Sequence, residues 1–289
     1  MRREDEMSTN RIPSERHVNR VKLWILGVVA AMLSLGLSGC DTVPVTGRSQ
    51  LSLISASELN SMSFTSYKEF LSAHKLSTNM TQTQRVKRAG QRIQGAVTRY
   101  LTQQGLASRL QGYHWEFNLV EDPEMNAWCM PGGKVVVYTG ILPVAKDEAG
   151  LAVVMGHEIA HAVANHGNER MSQGLLLQMG GMALSEALVQ QPAATKDLFL
   201  SAFGVGSQVG FLLPYSRLQE SEADRLGLIF MAMAGYDPRV AVPFWQRMRQ
   251  AQKGQAPPEF LSSHPADDTR IQNLNGYMAE AMRYYKPTK

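Results

Sequence analysis

His157-Glu158-Ile159-Ala160-His161, set in a stretch (residues 147–166) otherwise rich in Ala, Val and Leu, constrains this chain more than any other feature. The stretch reads as a helix. On a helix, positions i and i+4 share a face with Cβ atoms about 5–6 Å apart, so both imidazoles reach one ion. Glu158 lies roughly 100° further round at 3.6 residues per turn, which sets its carboxylate beside the open coordination position rather than among the ligands. The apolar neighbours Leu151, Val153, Val154, Ile159 and Val163 argue for burial and against a helix that merely carries two surface histidines.

A catalytic zinc takes three protein ligands and keeps one position open. A histidine six residues after His161 would be one source, but Gly167 stands there and His166 is off that spacing. Glu220, in Gln219-Glu220-Ser221-Glu222-Ala223-Asp224, is the better candidate. Glu220 and Asp224 are i and i+4 on a second expected helix, so the first can ligate while the second hydrogen-bonds a ligand histidine and fixes its tautomer. Glu222 falls near the opposite side of that helix. Two cysteines in 289 residues exclude a zinc site built from four thiolates and a disulfide-rich scaffold. Cys129 reads as a small buried hydrophobe, since no base stands beside it in sequence. His74 and His114 have no comparable context.

At the N-terminus, Arg11, Arg16, Arg20 and Lys22 precede an apolar run over residues 23–37, too short to span a bilayer comfortably as a helix. The run closes in Leu37-Ser38-Gly39-Cys40, which looks like a bacterial lipobox. Residues 1–39 are then a lipoprotein signal peptide, Cys40 is the lipidated residue, 40–56 is a tether, and 57–289 is one domain. That domain is expected in the periplasm, held to the membrane through the N-terminal lipid; the sequence leaves inner and outer membrane open. A formal charge of only +4, with no long run of like charge, excludes a nucleic-acid stripe.

Between these landmarks, periodicity predicts helices from Ser57 and over 85–103. It switches to period two at Trp115, Phe117 and Leu119. A short strand at 126–130, a Pro131-Gly132-Gly133 turn and a strand at 134–138 complete a small sheet. Further helices are expected within 174–213, broken at Gln191-Pro192, and over 217–234, 238–252 and 266–284. The fold class is α+β, mainly helical, with a small antiparallel sheet beside the HExxH helix.

Several motifs in one order now stand together: Asn126-Ala127 with Pro131-Gly132-Gly133, Gly140-Ile141-Leu142, HExxH, Glu220-x-x-Ala223-Asp224, and Ser263-His264-Pro265 with Arg270. They resemble the gluzincin zinc metallopeptidases related to CAAX prenyl proteases and the heat-shock protease HtpX, the lipidated or periplasmic BepA-like branch above all. The resemblance implies a zincin-like metalloprotease domain with one zinc per chain on His157, His161 and Glu220. Glu158 would serve as general base, Asp224 would support it in catalysis, and unfolded or extended polypeptides would be the substrates. It further implies that Asn126, Ala127, Trp128 and Cys129 lie on an edge strand above the cleft, which binds peptide by strand addition. Trp128 and Cys129 stand where the family usually has a small apolar residue. His264 is implied to approach the metal, as a resting-state ligand or as a transition-state donor; a loop histidine that packs the C-terminal helix is the other reading. The activity expected is endoproteolysis of unfolded or misassembled proteins in the bacterial cell envelope, the alternative being a chaperone-like assembly factor with regulated or minor proteolysis.

Overall fold

The computed structural model describes residues 40–178, 180, 182–205, 216–251, 260–261, 264 and 268–287. The chain divides at residue 40 into two units. The signal-peptide reading of residues 1–39 lies outside the described residues. Among those described, no helix is long and apolar enough to cross a membrane.

Residues 41–50, polar enough to read as a tether, are folded. Strands β1 (Cys40–Thr42) and β2 (Ser49–Leu51) pair into a two-stranded sheet. Helix α1 (Ala56–Ala73) follows, started by Ser55 in a reciprocal capping box with Glu58, two residues before the expected start. Helix α2 (Met80–Gln103) buries Val86, Ala89, Ile93, Ala96, Val97 and Tyr100 at three- and four-residue steps, the amphipathic stripe that its sequence shows.

The sheet that follows is mixed. Strands β3 (Glu116–Val120), β4 (Ala127–Met130) and β5 (Lys134–Tyr138) lie in the order β3-β5-β4, with β4 antiparallel to β5 and β3 parallel to it. The hairpin through Pro131-Gly132-Gly133 makes the antiparallel pair as expected; both glycines have φ near +80°, where a Cβ would be strained. The parallel β3–β5 pair departs from the expected all-antiparallel sheet. Period-two patterning says which residues share a face, not which way a neighbouring strand runs. Side chains alternate across the sheet: Val135, Val137, Ala127 and Cys129 join the core around α2, while Val136, Trp128 and Met130 join a second core with residues of α1.

Helix α3 (Glu148–Val163) starts at Asp147, whose carboxylate accepts from the Gly150 N–H. It ends in Ala164 and in Asn165 at φ +60°, so the expected single helix to residue 166 breaks there and α4 (His166–Gln178) begins in a new direction. Helices α5 (Leu184–Gln190) and α6 (Pro192–Ala202) meet at the expected Gln191-Pro192 break. Helix α7 (Arg217–Met233), capped by Ser216, is followed by α8 (Ala241–Ala251) and α9 (Asp268–Tyr284).

The α3–α7 crossing positions the site. Gly156 faces Gly227, and a Cβ added at Gly227 would lie 3.0 Å from the His157 nitrogen and 3.1 Å from the Gly156 carbonyl carbon. Only two glycines let the backbones come this close, which carries the carboxylates of α7 to the histidines of α3.

Candidate metal centre

His157 and His161 share the buried face of α3, with ring centroids 4.6 Å apart. Glu220, in the first turn of α7, faces them, and His264 enters from the segment before α9. The four residues are buried, and their donor atoms all lie within 4.8 Å of one another. His157 Nε2 is 3.1 Å from His161 Nε2, and Glu220 is 3.2 Å from His161 Nε2 and 3.5 Å from His157 Nε2. Four donors about 2.0–2.1 Å from a tetrahedral zinc stand roughly 3.3–3.4 Å from each other, so the spacing fits that ion. His264 Nδ1, 3.2 Å from His157 Nε2 and 2.8 Å from Glu220 Oε1, sits where a fourth ligand would.

Asp224 does not reach the donor group. Its Oδ1 is 3.0 Å from His157 Nδ1, the nitrogen turned away from the donor atoms, so it orients the ring rather than joining the ligands. Arg270 donates to both Asp224 oxygens at 2.7 and 2.9 Å, pairs with Glu220 Oε2 at 3.0 Å, and lies 3.2 Å over the Trp245 ring. The sequence put Arg270 in a motif without giving it this role, because nothing in its spacing shows that α9 comes back across α7.

Glu158 lies beside the donors at 4% exposure. Its Oε1 has no hydrogen-bond partner among the described residues, and His264 Nε2 stands 3.7 Å away. A buried carboxylate oxygen left open next to a metal-shaped donor set can accept a hydrogen bond or a proton from a group that binds there. Burial raises its carboxyl above the ordinary value against the pull of His264 and His157, which suits a group that must hold a proton. Glu220 goes the other way. Burial pushes it up, but His264, Arg270 and His157 outweigh that and hold it well below the carboxylate range. Burial holds His161 well below its ordinary value and therefore neutral, the form that ligates. His157 is lifted to about 9: burial and Arg270 push it down, and Glu220 and Asp224 overcome them. These carboxylates favour positive charge at the centre of the site.

Cys129 is buried and its thiol is pushed well up by burial, so it is no nucleophile. Strand β4 is the last strand in the order β3-β5-β4 and packs against α3. Ala127 and Cys129 face the core that holds α3, whereas Trp128 points to the other core and packs edge-on against Phe70 and Tyr67. Asn126 is buried at the start of β4, its side-chain oxygen accepting from the Ala127 N–H. Glu222, which helical spacing set apart from the site, is 1% exposed and hydrogen-bonded to His166. His74 and His114 are not among the donors of this cluster.

Two imidazoles and one carboxylate at this spacing can hold a zinc, and a spare buried carboxylate at their side equips the site for amide hydrolysis; fold and site together are those of a zinc metallopeptidase. Comparison with known proteins carries the assignment one step further. The chain belongs to Peptidase family M48, whose model matches residues 87–278. It is similar to the mitochondrial metalloendopeptidase OMA1 of Schizosaccharomyces pombe, with 33% identity over 264 residues, 89% of this chain and 72% of that one. To the human mitochondrial metalloendopeptidase OMA1 it is 29% identical, over 84% of this chain and 47% of that one. To the beta-barrel assembly-enhancing protease of Yersinia pestis it is 30% identical over 165 residues, 54% of this chain and 33% of that one. The likeness therefore extends over more of the chain for the mitochondrial relatives than for the bacterial protease. The chain spans about half or less of the length of most of these relatives.

Proposed function

We propose that the chain cleaves unfolded or extended polypeptides in a bacterial cell envelope, through zinc held by His157, His161 and Glu220, with Glu158 as the proton-transfer group. The observation that carries this reading is the open, buried carboxylate of Glu158 next to the donor set. Zinc, when bound, supplies a Lewis acid that acidifies water and polarises a carbonyl. Glu158 takes the proton of the attacking water and passes it to the leaving amine, a transfer for which its raised affinity for protons fits it. Asp224 keeps His157 in the tautomer that turns Nε2 inward. Strand β4, as the sheet's last strand, supplies backbone groups with which an extended peptide pairs, and this requirement selects unfolded segments over folded ones.

The envelope location and the lipid on Cys40 rest on the Leu37-Ser38-Gly39-Cys40 pattern, and the BepA-like branch on the motifs it shares with this chain. A second reading, a chaperone-like assembly factor with minor or regulated proteolysis, is favoured by one observation: His264 Nδ1 completes the donor set, which would leave no position for water. The test uses the full chain in detergent, with zinc content and casein cleavage measured for wild type and Glu158→Gln. The proposal expects one zinc in both and turnover only in the wild type. Cleavage by Glu158→Gln at the wild-type rate would overturn the assignment. Rescue of an envelope defect by the inactive variant would favour the chaperone reading.

A further inference from the structure

His161 has two ring nitrogens and the donor set uses one. Nε2 faces His157 and Glu220, while Nδ1 points the other way, 2.9 Å from Nδ1 of His166. His166 is fully buried, and its Nε2 is 3.2 Å from Glu222 Oε2. Glu222 also accepts from Thr46 Oγ1 at 2.6 Å and from Arg48, whose Nε and Nη2 reach its two oxygens at 3.0–3.2 Å. Arg48 simultaneously forks onto Glu169, at 2.8 and 2.9 Å. An unbroken line of contacts thus runs from the segment between β1 and β2 to the back of a metal-facing histidine.

The proton positions along this line follow from the partners. Glu222 receives from Arg48 and Thr46 and is an acceptor, so His166 must carry its proton on Nε2. His166 Nδ1 is then a lone pair, and the hydrogen at that contact belongs to His161 Nδ1. A proton on His161 Nδ1 leaves Nε2 with the lone pair that a metal requires. At His157, Asp224 Oδ1 stands 3.0 Å from Nδ1 and favours the proton there, beside Arg270 Nη2, which is 3.1 Å from the same nitrogen and donates to that Asp224 oxygen. The two histidines of HExxH are therefore oriented by two carboxylates of one helix, one directly and one through an intervening imidazole.

We propose that Arg48, acting through Glu222 and His166, is a positioning residue of the metal centre, and that the N-terminal strap of residues 41–54 is a working part of the peptidase rather than a tether. The proposal rests on the reading of His161 as a ligand. The strap is built for the task at several points. Gln50 donates to the Ala164 carbonyl at the C-terminal end of α3, Asn165 at the left-handed break donates to Asp41, and Asp41 pairs with Arg109. Without the break at Asn165, His166 would continue down α3 one residue past the face that carries His161, and the imidazoles would not meet. Glu222 at 1% exposure needs a permanent counter-charge, and Arg48 meets it together with Glu169 in one planar group.

The experiment measures zinc affinity by chelator competition, and the absorption bands of the cobalt-substituted protein, on the full chain in detergent. Loss of such an indirect partner typically costs about 10–100-fold in metal affinity. Arg48→Met, Glu222→Gln and His166→Phe should each weaken zinc binding by a factor in that range and alter the cobalt bands. Arg48→Lys keeps the charge but cannot fork onto both carboxylates, so it should fall between wild type and Arg48→Met, and it carries the test if Arg48→Met does not fold. Asn168→Ala removes the bonds that hold the strap at Ser52 and Ile54 without touching the line to His161. It should lower thermal stability while zinc affinity and cobalt bands stay as in wild type. Equal loss of affinity in Asn168→Ala and Arg48→Met would overturn the proposal in favour of simple strap docking. Unchanged affinity and bands in Arg48→Met and His166→Phe, with zinc lost in His161→Ala, would overturn it while leaving the ligand assignment intact. Full zinc affinity in His161→Ala would instead remove the ligand assignment on which it rests.

Discussion

At the scale of single residues, His264 is the position at which an open and a closed resting site would differ. Its Nδ1 stands among the donors, its Nε2 is 3.7 Å from Glu158, and its ring stacks on Phe260 at 4.7 Å. A ligand in the fourth position competes with water and must leave before substrate enters. His264→Ala should then raise basal casein cleavage per bound zinc, with zinc content little changed because three protein ligands remain. A hydrogen-bond donor to the transition state behaves oppositely, its loss lowering turnover by about 10²–10³-fold. A rate below wild type would sink the resting-state version. The bland reading of a packing histidine is already weakened, since a ring that only packed the C-terminal helix would not place a nitrogen 2.8 Å from Glu220.

At the scale of elements, the approach of α3 to α7 is the arrangement on which the site depends, and Gly227 is its tightest point. A methyl group there would meet backbone atoms at 3.0–3.2 Å, and backbone cannot rotate away as a side chain can. Gly227→Ala should push α7 off α3, cost about 1–3 kcal/mol of stability as overpacking does, and weaken zinc binding because Glu220 moves with the helix. Gly276→Ala is the control: it lies in α9 with nothing within 4 Å of a new Cβ, so relief of glycine's backbone entropy should stabilise it slightly. Thermal melts and zinc titrations of the pair check both, and an unshifted zinc affinity in Gly227→Ala would show that the glycine contact does not set the site. Most helices were legible to within a few residues, because their apolar spacing and caps are local, but α4 was not, since it starts at His166 where the spacing reads as a helix end; the meeting of His157, His161 and Glu220 was legible, because they come in fixed spacings on two helices. The parallel β3–β5 pair was not, since strand direction is decided by partners far away in the chain. The strap was missed for a similar reason. Polar residues with a proline and a glycine read as a linker, and only the fold shows that Arg48 finds its partners at Glu169 and Glu222, more than a hundred residues on.

At the scale of the whole molecule, the two cores bear on the metal unequally. One gathers α2, α3, α7, α8 and α9 around the donor set; the other holds α1, α4 and α6 against the opposite face of the sheet. A zinc on His157, His161 and Glu220 would tie α3 to α7, with His264 able to link in the segment ahead of α9, so ligation would be a tertiary cross-link within the first core. Binding that favours the folded state stabilises by mass action, about 2.7 kcal/mol when free ligand is a hundredfold above Kd. In a domain of this size each kcal/mol moves Tm by roughly 2–4 °C, so chelation should lower Tm by several degrees. The loss should be uneven. Without the ion, Glu220 and Asp224 have Arg270 and the imidazoles as counter-charge among the described residues, and the contacts joining α3 to α7 should weaken first. Hydrogen exchange after chelation should therefore quicken in α7 and the second half of α3 before it does in α1 or β5, and zinc should restore both Tm and protection. A protein shown by metal analysis to be zinc-free, yet melting and exchanging as the loaded one does, would mean that the metal is not coupled to the fold at this crossing.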